Sequence, residues 1–265
     1  MIEVSGLAIY PLKGGRGIPL SEVAIDPIGP RHDRRWVVVD GDGVHVTQRE
    51  VARLCQIVAR PESSGLRLSA PYQPTLEVAL PSEAAARRIQ VWSDSVVGHD
   101  AGDEPARWLS QFLGLSARLI HCPDSTTRRT DPTYDPIGSP VSFADGYPLL
   151  LVSEASLEEL NRRLDEPLPM NRFRPNLVVR GTEPFAEDRW RRFTIGGIRF
   201  DAVKPCARCV VTTTDQDTAL RGREPLRTLG TFRRQGSGLM FGMNVVHRAT
   251  GTIRVGQPVE VEETA

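Results

Sequence analysis

The chain has 265 residues, with 33 Lys plus Arg against 33 Asp plus Glu, a balance that excludes a generally basic nucleic-acid binder. Hydrophobic residues at 40% and charged residues at 25% are those of a folded globular chain rather than a disordered one. No apolar run nears the roughly 18 residues needed to span a bilayer. The opening Met1-Ile2-Glu3-Val4 lacks a basic segment followed by an apolar one, so a cytoplasmic protein is expected.

Gly (23) and Pro (21) are scattered along the whole chain, and such frequent punctuation favours many short strands over long helices. The expected fold class is mainly β with peripheral helices (α+β). In chain order, Val37-Val38-Val39 and Val44-His45-Val46 flank Asp40-Gly41-Asp42-Gly43, the chemistry of a hairpin. Thr47-Gln48-Arg49-Glu50 has capping-box spacing. Leu66-Arg67-Leu68, Leu76 to Leu80 and Ile89-Gln90-Val91-Trp92 alternate with period two, as half-buried strands do.

Asp103-Glu104-Pro105 opens a helix with Trp108, Leu109, Phe112 and Leu113 on one face and Gly114 at its end. A second helix runs from about Ser153 to Leu164. Ser156 and Glu159 have capping-box spacing there, and Glu158–Arg162 and Glu159–Arg163 are i,i+4 pairs. The polar stretch from Pro123 to Pro140 reads as a linker between two halves. Further strands follow at Leu177–Arg180, Phe193–Val203, Val210–Thr214, Met243–His247 and Thr252–Val261, with a short helix at Glu224–Arg233.

Of the four cysteines, Cys55 and Cys122 lie in apolar surroundings and read as buried small hydrophobes. Cys206-Ala207-Arg208-Cys209 is different, because Lys204 and Arg208 flank it and nearby cations favour the thiolate. A zinc site lacks a second ligand pair. A thioredoxin-like pair requires a helix after it, whereas Val210–Thr214 reads as a strand. A single reactive or metal-ligating thiolate at a barrel edge, or two inert cysteines, remain. The five histidines show no metal-ligand spacing.

The wider segment from Lys204 through Thr212-Thr213-Thr214-Asp215-Gln216-Asp217-Thr218 to Glu224-Pro225-Leu226-Arg227-Thr228-Leu229 resembles the signature of the MOSC family, the molybdenum cofactor sulfurase C-terminal domain. Asn171-Arg172-Phe173-Arg174-Pro175-Asn176 and Phe241-Gly242-Met243-Asn244 look like further MOSC segments. Tyr10-Pro11-Leu12-Lys13-Gly14, Asp33-Arg34-Arg35-Trp36 and Thr47-Gln48-Arg49-Glu50 look like the associated N-terminal β-barrel. The resemblance covers nearly the whole chain and is strongest to the family's amidoxime-reducing branch. It implies a MOSC-type, pyruvate-kinase-like β-barrel at 125–265 behind an N-terminal barrel at 1–120.

By the same resemblance, Cys209 ligates the metal of a molybdenum cofactor (molybdenum–molybdopterin), and Asp145 is an acidic residue close to it. Lys13, Arg34, Arg174 and Asn176 hold the pterin and its phosphate, Asn244 lines the site, and Arg172 and Arg208 are weaker additions. Each has a plainer reading. Arg34 beside Trp36 suits a solvated strand edge, Arg172 and Arg174 suit one face of a basic strand, and Asp145 with Gly146 suits a turn. The family often has Ser after the motif lysine, where this chain has Gly14.

The implied activity is reduction of a small N–O substrate, with electrons from a separate electron-transfer protein such as a ferredoxin. No iron–sulfur cluster is expected in this chain. The alternatives are a carrier of molybdenum cofactor or of persulfide sulfur on Cys209, and a pyridoxal-phosphate enzyme using Lys204 or Lys13.

Overall fold

A computed structural model describes residues 1–264. Its largest element is a nine-stranded sheet. The strands run Val259–Thr264, Trp190–Ile195, Ile198–Ala207, Gly238–His247, Leu149–Ser153, Leu177–Arg180, Glu3–Ile9 and Ile18–Leu20, with Arg234–Gln235 added onto Gly238–His247. Glu3 bridges Pro258, and the Val259 N–H donates to Ile2 O at 2.9 Å. The first strand thereby returns to the last, and the sheet curls on itself as a barrel, which covers the edge of Val259–Thr264 and leaves Ile18–Leu20 paired on one side only.

Alternation fills the interior. Trp190, Phe193, Ile195, Phe200, Met243, Val245, Leu149, Leu151, Leu177 and Val179 all belong to one buried cluster. The Phe193 and Phe200 rings stack at 5.3 Å.

The second unit joins two smaller sheets. One orders Trp36–Val39, Arg118–His121, Asp94–Asp100 and Ala86–Val91; the other orders Val58–Glu62, Gly65–Ser69 and Leu76–Ala79. Helix α1 (Asp103–Leu113) buries Trp108, Leu109, Phe112 and Leu113 against them and ends at left-handed Gly114, as its pattern required. The expected division near residues 120–125 is crossed by strand pairing. Leu7 pairs with Leu177 and Ile25 with Gly251, so residues 3–26 contribute to the C-terminal unit's sheets.

Several local expectations are corrected. Val37–Val39 keeps its expected turn, with the Asp40 N–H donating to Val44 O at 2.9 Å and the Val46 N–H to Val38 O at 2.8 Å around a Val39–His45 bridge, but its longer ladder is with Arg118–His121. An apolar run buried on both sides takes a long-range partner in addition to its local turn. In α2 (Glu154–Asn161) the cap is Ser153, whose Oγ accepts from the Ser156 N–H at 3.1 Å. Ser156 Oγ instead donates to buried Glu187 at 2.7 Å. Glu159, not Glu158, meets both Arg162 and Arg163.

Val210–Thr213 is a 3-10 turn, not a strand. Thr212 Oγ1 and Thr213 Oγ1 donate to the carbonyls three residues back at 2.9 and 2.8 Å, offering the backbone a local alternative to a ladder. Helix α3 (Leu226–Phe232) follows.

The polar stretch 123–140 is tied down by two buried side chains. Arg128 donates through Nη1 to the Ser142 carbonyl and, at 2.7 Å, to that of Ala144, and through Nε to Asp94 at 3.0 Å. Asp135 accepts from Thr130, the Ser139 N–H and Arg248 at 2.6–2.9 Å. Burial pushes the Asp135 carboxyl up, but these donors outweigh it and hold its pKa at about 2. Arg128 thus fixes the segment that carries Asp145. Among the described residues no helix is long and apolar enough to cross a membrane.

Candidate functional site

The two units meet along a cleft of about 160 Å³ at one end of the barrel. Strand direction explains what gathers there. Antiparallel neighbours bring the end of Glu3–Ile9 beside the start of Leu177–Arg180, which itself runs parallel to Leu149–Ser153. The turn holding Lys13, the loop holding Asp145 and the approach holding Arg174 and Asn176 are therefore adjacent. Strand Ile198–Ala207 reaches the cleft differently, since through their shared neighbour Gly238–His247 it runs parallel to Leu149–Ser153. Its register against Gly238–His247 shifts between Ala202 and Lys204 and again between Pro205 and Ala207. Bulges of this kind turn a strand out of its ladder, and here they turn Cys206–Cys209 into the cleft wall.

The Lys13 turn is tight. Gly14 has φ +78°, and a Cβ on it would lie 2.4 Å from Leu54 Cδ2, so glycine in place of the family's serine follows from this chain's own packing. Lys13 Nζ is paired with Asp145 and lies 5.5 Å from the Trp92 ring centre. The Trp92 indole N–H donates to the same carboxylate at 3.2 Å. The Asp145 side chain is 80% exposed to the cleft. The crowding of its walls pushes the carboxyl up, but Lys13 and Arg34 prevail and hold it below the usual carboxylate range. Burial pulls the Lys13 ammonium down, and Asp145 acts against that fall.

Arg34 and Arg174 both stack on Tyr10, their guanidinium carbons 4.4 and 4.2 Å from the ring centre. Arg34 Nη1 donates to Asp33 at 2.5 Å and to Asn176 Oδ1 at 2.8 Å. Arg174 differs, because its Nη1 meets only neutral acceptors, Gly15 O at 2.7 Å and Gln216 Oε1 at 3.2 Å. It is 9% exposed, and burial pulls its pKa down to about 10. Five cations (Lys13, Arg34, Arg49, Arg174 and Arg208) line the cleft against one carboxylate, Asp145. Such a surplus on low-dielectric walls attracts an anion.

The MOSC N-terminal beta barrel domain matches residues 1–116, and the MOSC domain matches residues 138–260. Mitochondrial amidoxime-reducing component 1 of Homo sapiens is 35% identical over 275 residues, which cover 97% of this chain and 82% of that protein. Mitochondrial amidoxime reducing component 2 of Rattus norvegicus is 37% identical over 277 residues, with the same coverage. The chain belongs to the MOSC family, in the group of the amidoxime-reducing components. Among solved structures, the YUAD protein of Bacillus subtilis is 10% identical with a TM-score of 0.44 over 99% of this chain and 97% of that one, a likeness too distant to carry an argument.

Eight of the nine residues that the MOSC resemblance marks out line the cleft: Lys13, Arg34, Asp145, Arg174, Asn176, Arg208, Cys209 and Asn244. Arg172 does not. Residues Met170–Arg172 form a 3-10 turn and Arg174 is left-handed at φ +57°, so the two arginines share no strand face and Arg172 pairs instead with Asp215 at 3.1 Å. Asn176 is already saturated. Its Oδ1 accepts from Arg34 and the Leu150 N–H, and its Nδ2 donates to Ala8 O and Asp33. That is its full hydrogen-bonding capacity, so it positions Arg34 and the adjoining strands.

Asn244 Nδ2 reaches Lys204 O at 3.2 Å. Cys206 also lines the cleft, accepts from Arg208 Nη1 at 2.9 Å and packs against the Phe173–Phe241 cluster. Lys204 lies over the Tyr134 ring at 4.0 Å and is not a lining residue. Burial pushes the Cys55 and Cys122 thiols up to about 11, as inert core cysteines require. Among the described residues no three His, Cys, Asp or Glu side chains gather as a metal cage.

Sequence reasoning passed over Gln48, Arg49, Gln216 and Trp92. Gln48 donates to Gly14 O at 2.6 Å, and Arg49 stacks 4.6 Å from the Trp92 centre. Three of the four stand inside motifs already singled out, and that was their signal. Trp92 had none: it tips a hairpin, at φ +56°, over a cleft formed by distant segments.

Proposed function

We propose that this protein reduces N-hydroxylated and related N–O compounds, using a molybdenum cofactor bound in the cleft with Cys209 as its protein ligand. The observation that carries the reading is Arg174: a buried guanidinium whose only hydrogen-bond partners among the described residues are neutral. A buried cation without a counter-charge is costly, and a phosphate offers the bidentate partner that arginine suits.

The donor set fits the group. Arg174, Arg34 and Lys13 answer the phosphate of the pterin, and Cys209 offers a soft thiolate for the metal. When bound, the cofactor supplies two-electron redox chemistry for removing oxygen from an N–O bond, and a separate electron-transfer protein restores the electrons. The chain's own residues bind and orient. Arg34 is held rigid by Asp33 and Asn176, so its charge is preorganised. Asp145, kept ionised by Lys13 and open to the cleft, accepts hydrogen bonds from the N–H and O–H groups of an amidoxime and does not act as a general acid near neutral pH. Arg208 holds the Cys206 sulfur and, through Nη2, the Phe173 carbonyl at 2.6 Å, which fixes the turn presenting Cys209.

The test is to produce wild type, Cys209→Ala and Cys206→Ala in a host that synthesises the cofactor. Molybdenum content and reduction of a model amidoxime by an artificial electron donor are then measured. Cys209→Ala is expected to lose metal and turnover with an unchanged circular dichroism spectrum and melting temperature, while Cys206→Ala keeps measurable turnover. Wild type without bound molybdenum, or equal loss in both variants, overturns the assignment.

A further inference from the structure

A second, larger cavity of about 630 Å³ opens beside the first strand pair, and Arg174 is the wall it shares with the cleft. Its volume lies within the roughly 300–1,000 Å³ of small-molecule sites.

Part of its apolar lining, Leu7 and Ile18, belongs to the packing of the barrel core, but Ala8, Val58 and Val178 are outside that core. On Glu3–Ile9 the inward residues are Leu7 and Ile9, and on Leu177–Arg180 they are Leu177 and Val179. Alternation turns Ala8 and Val178 outward, to positions that a solvated strand face fills with polar residues. Here both are half-buried apolar groups in the groove, joined by Val58.

The polar part is one-signed. Arg16, Arg60 and Arg174 line the groove against a single carboxylate, Asp217. That carboxylate is already taken, since Arg16 Nη2 pairs with it. Arg60 is exposed and makes no ion pair among the described residues, and its cross-strand partner is another cation, Arg67. An apolar trough rimmed by an unpaired guanidinium is complementary to a molecule with an apolar body and one anionic end.

We propose that this groove binds a small amphiphilic carboxylate, an alkyl or aryl acid. Its apolar body lies on Ala8, Val58 and Val178, and its carboxylate meets Arg60 with Arg16 beside it. The groove adjoins the Cys209 cleft at Arg174, but Arg60, which meets the carboxylate, and the apolar residues under its body lie outside that cleft.

The probe is octanoate, titrated calorimetrically into the full chain, with octanamide as the uncharged molecule of the same body. Octanoate is expected to bind one equivalent, and octanamide at least tenfold more weakly. Arg60→Glu is expected to weaken octanoate at least tenfold. That variant faces Arg67, gains an opposite-charge cross-strand neighbour and is expected to melt like wild type. Arg49→Gln, which removes an exposed cation from the cleft, is expected to leave octanoate affinity unchanged. Absence of binding, equal binding of octanamide, or indifference to Arg60→Glu overturns the proposal. Equal weakening by Arg49→Gln and Arg60→Glu also overturns it, because attraction to the protein's general charge then suffices.

Discussion

Asn176→Ala removes the one side chain that ties three separate segments of the cleft together. Its amide accepts from Leu150 N at 3.2 Å and donates to Ala8 O at 3.1 Å. Both backbone groups face the Asn176 segment, since the Ala8 N–H donates to Asn176 O at 3.0 Å and the Asn176 N–H to Leu150 O at 2.9 Å, so the strands on their other sides offer neither a substitute. A buried backbone group left without a partner costs about 1–3 kcal/mol. Two such groups give about 4 kcal/mol, which in a chain of this size lowers the melting temperature by roughly 8–16 °C. Arg34 keeps its Asp33 partner at 2.5 Å, so the expected loss is of stability rather than of a paired charge. Asn244→Ala is the control, because that amide makes long contacts to two strand carbonyls at 3.2 and 3.5 Å, and its removal is expected to cost under about 1 kcal/mol. Urea unfolding of both variants against wild type measures the difference. If Asn176→Ala costs no more than Asn244→Ala, Asn176 is not the tie described here.

Phe241→Ala is expected to destabilise by about 3–5 kcal/mol, since its ring is fully buried and stacked on Phe173 at 4.1 Å beneath the cysteine turn; a urea midpoint close to wild type would contradict that packing. Burial lowers the pKa values of His45 and His121 from 6.5 to about 4, so both stay neutral in the folded chain. A lowered folded pKa means stability that is fully present above pH 6.5 and lost as pH falls toward 4. Unfolding midpoints measured across that window should therefore fall with acidification, and a flat profile would refute it. Asp135, held at about 2, stays ionised throughout and does not confound the reading.

What the sequence revealed was local or ordered. Helix α1 was legible because its early proline, apolar face and Gly114 agree, although its cap position is Gly102 and no side chain caps it, and the cleft residues were legible because six motifs stand in one order along the chain. What stayed hidden depends on partners far away in sequence. The run Val37–Val39 pairs with residues some 80 positions onward, which no turn signal near Asp40–Gly43 could announce. The threonines after Cys209 look like a strand by composition, yet their hydroxyls bond back to their own turn. Arg172 and Arg174 are two residues apart and take opposite fates, because the chain between them leaves a 3-10 turn for a left-handed residue.

That left-handed residue is one of three in the cleft that carry a Cβ. Arg34, Trp92 and Arg174 stand at φ +47°, +56° and +57°, in a region that costs a residue with a Cβ about 1–2 kcal/mol. Three of them cost about 3–6 kcal/mol, a large part of the 5–15 kcal/mol by which a folded protein typically exceeds its unfolded state. Glycine would take each of these backbone positions without strain, and this chain uses glycine freely in its other turns, as at Gly14 and Gly114. The three strained residues are kept in place by bonds from their surroundings: Arg34 by Asp33 and Asn176, Arg174 by Gly15 and Gln216, Trp92 by Asp145. These are three of seven non-glycine residues at positive φ among the described residues, and strain sustained by the surroundings at a cleft marks side chains held for what they contact there. Two of them are the guanidinium groups that share the Tyr10 ring, and the third is the indole that holds the cleft's one carboxylate.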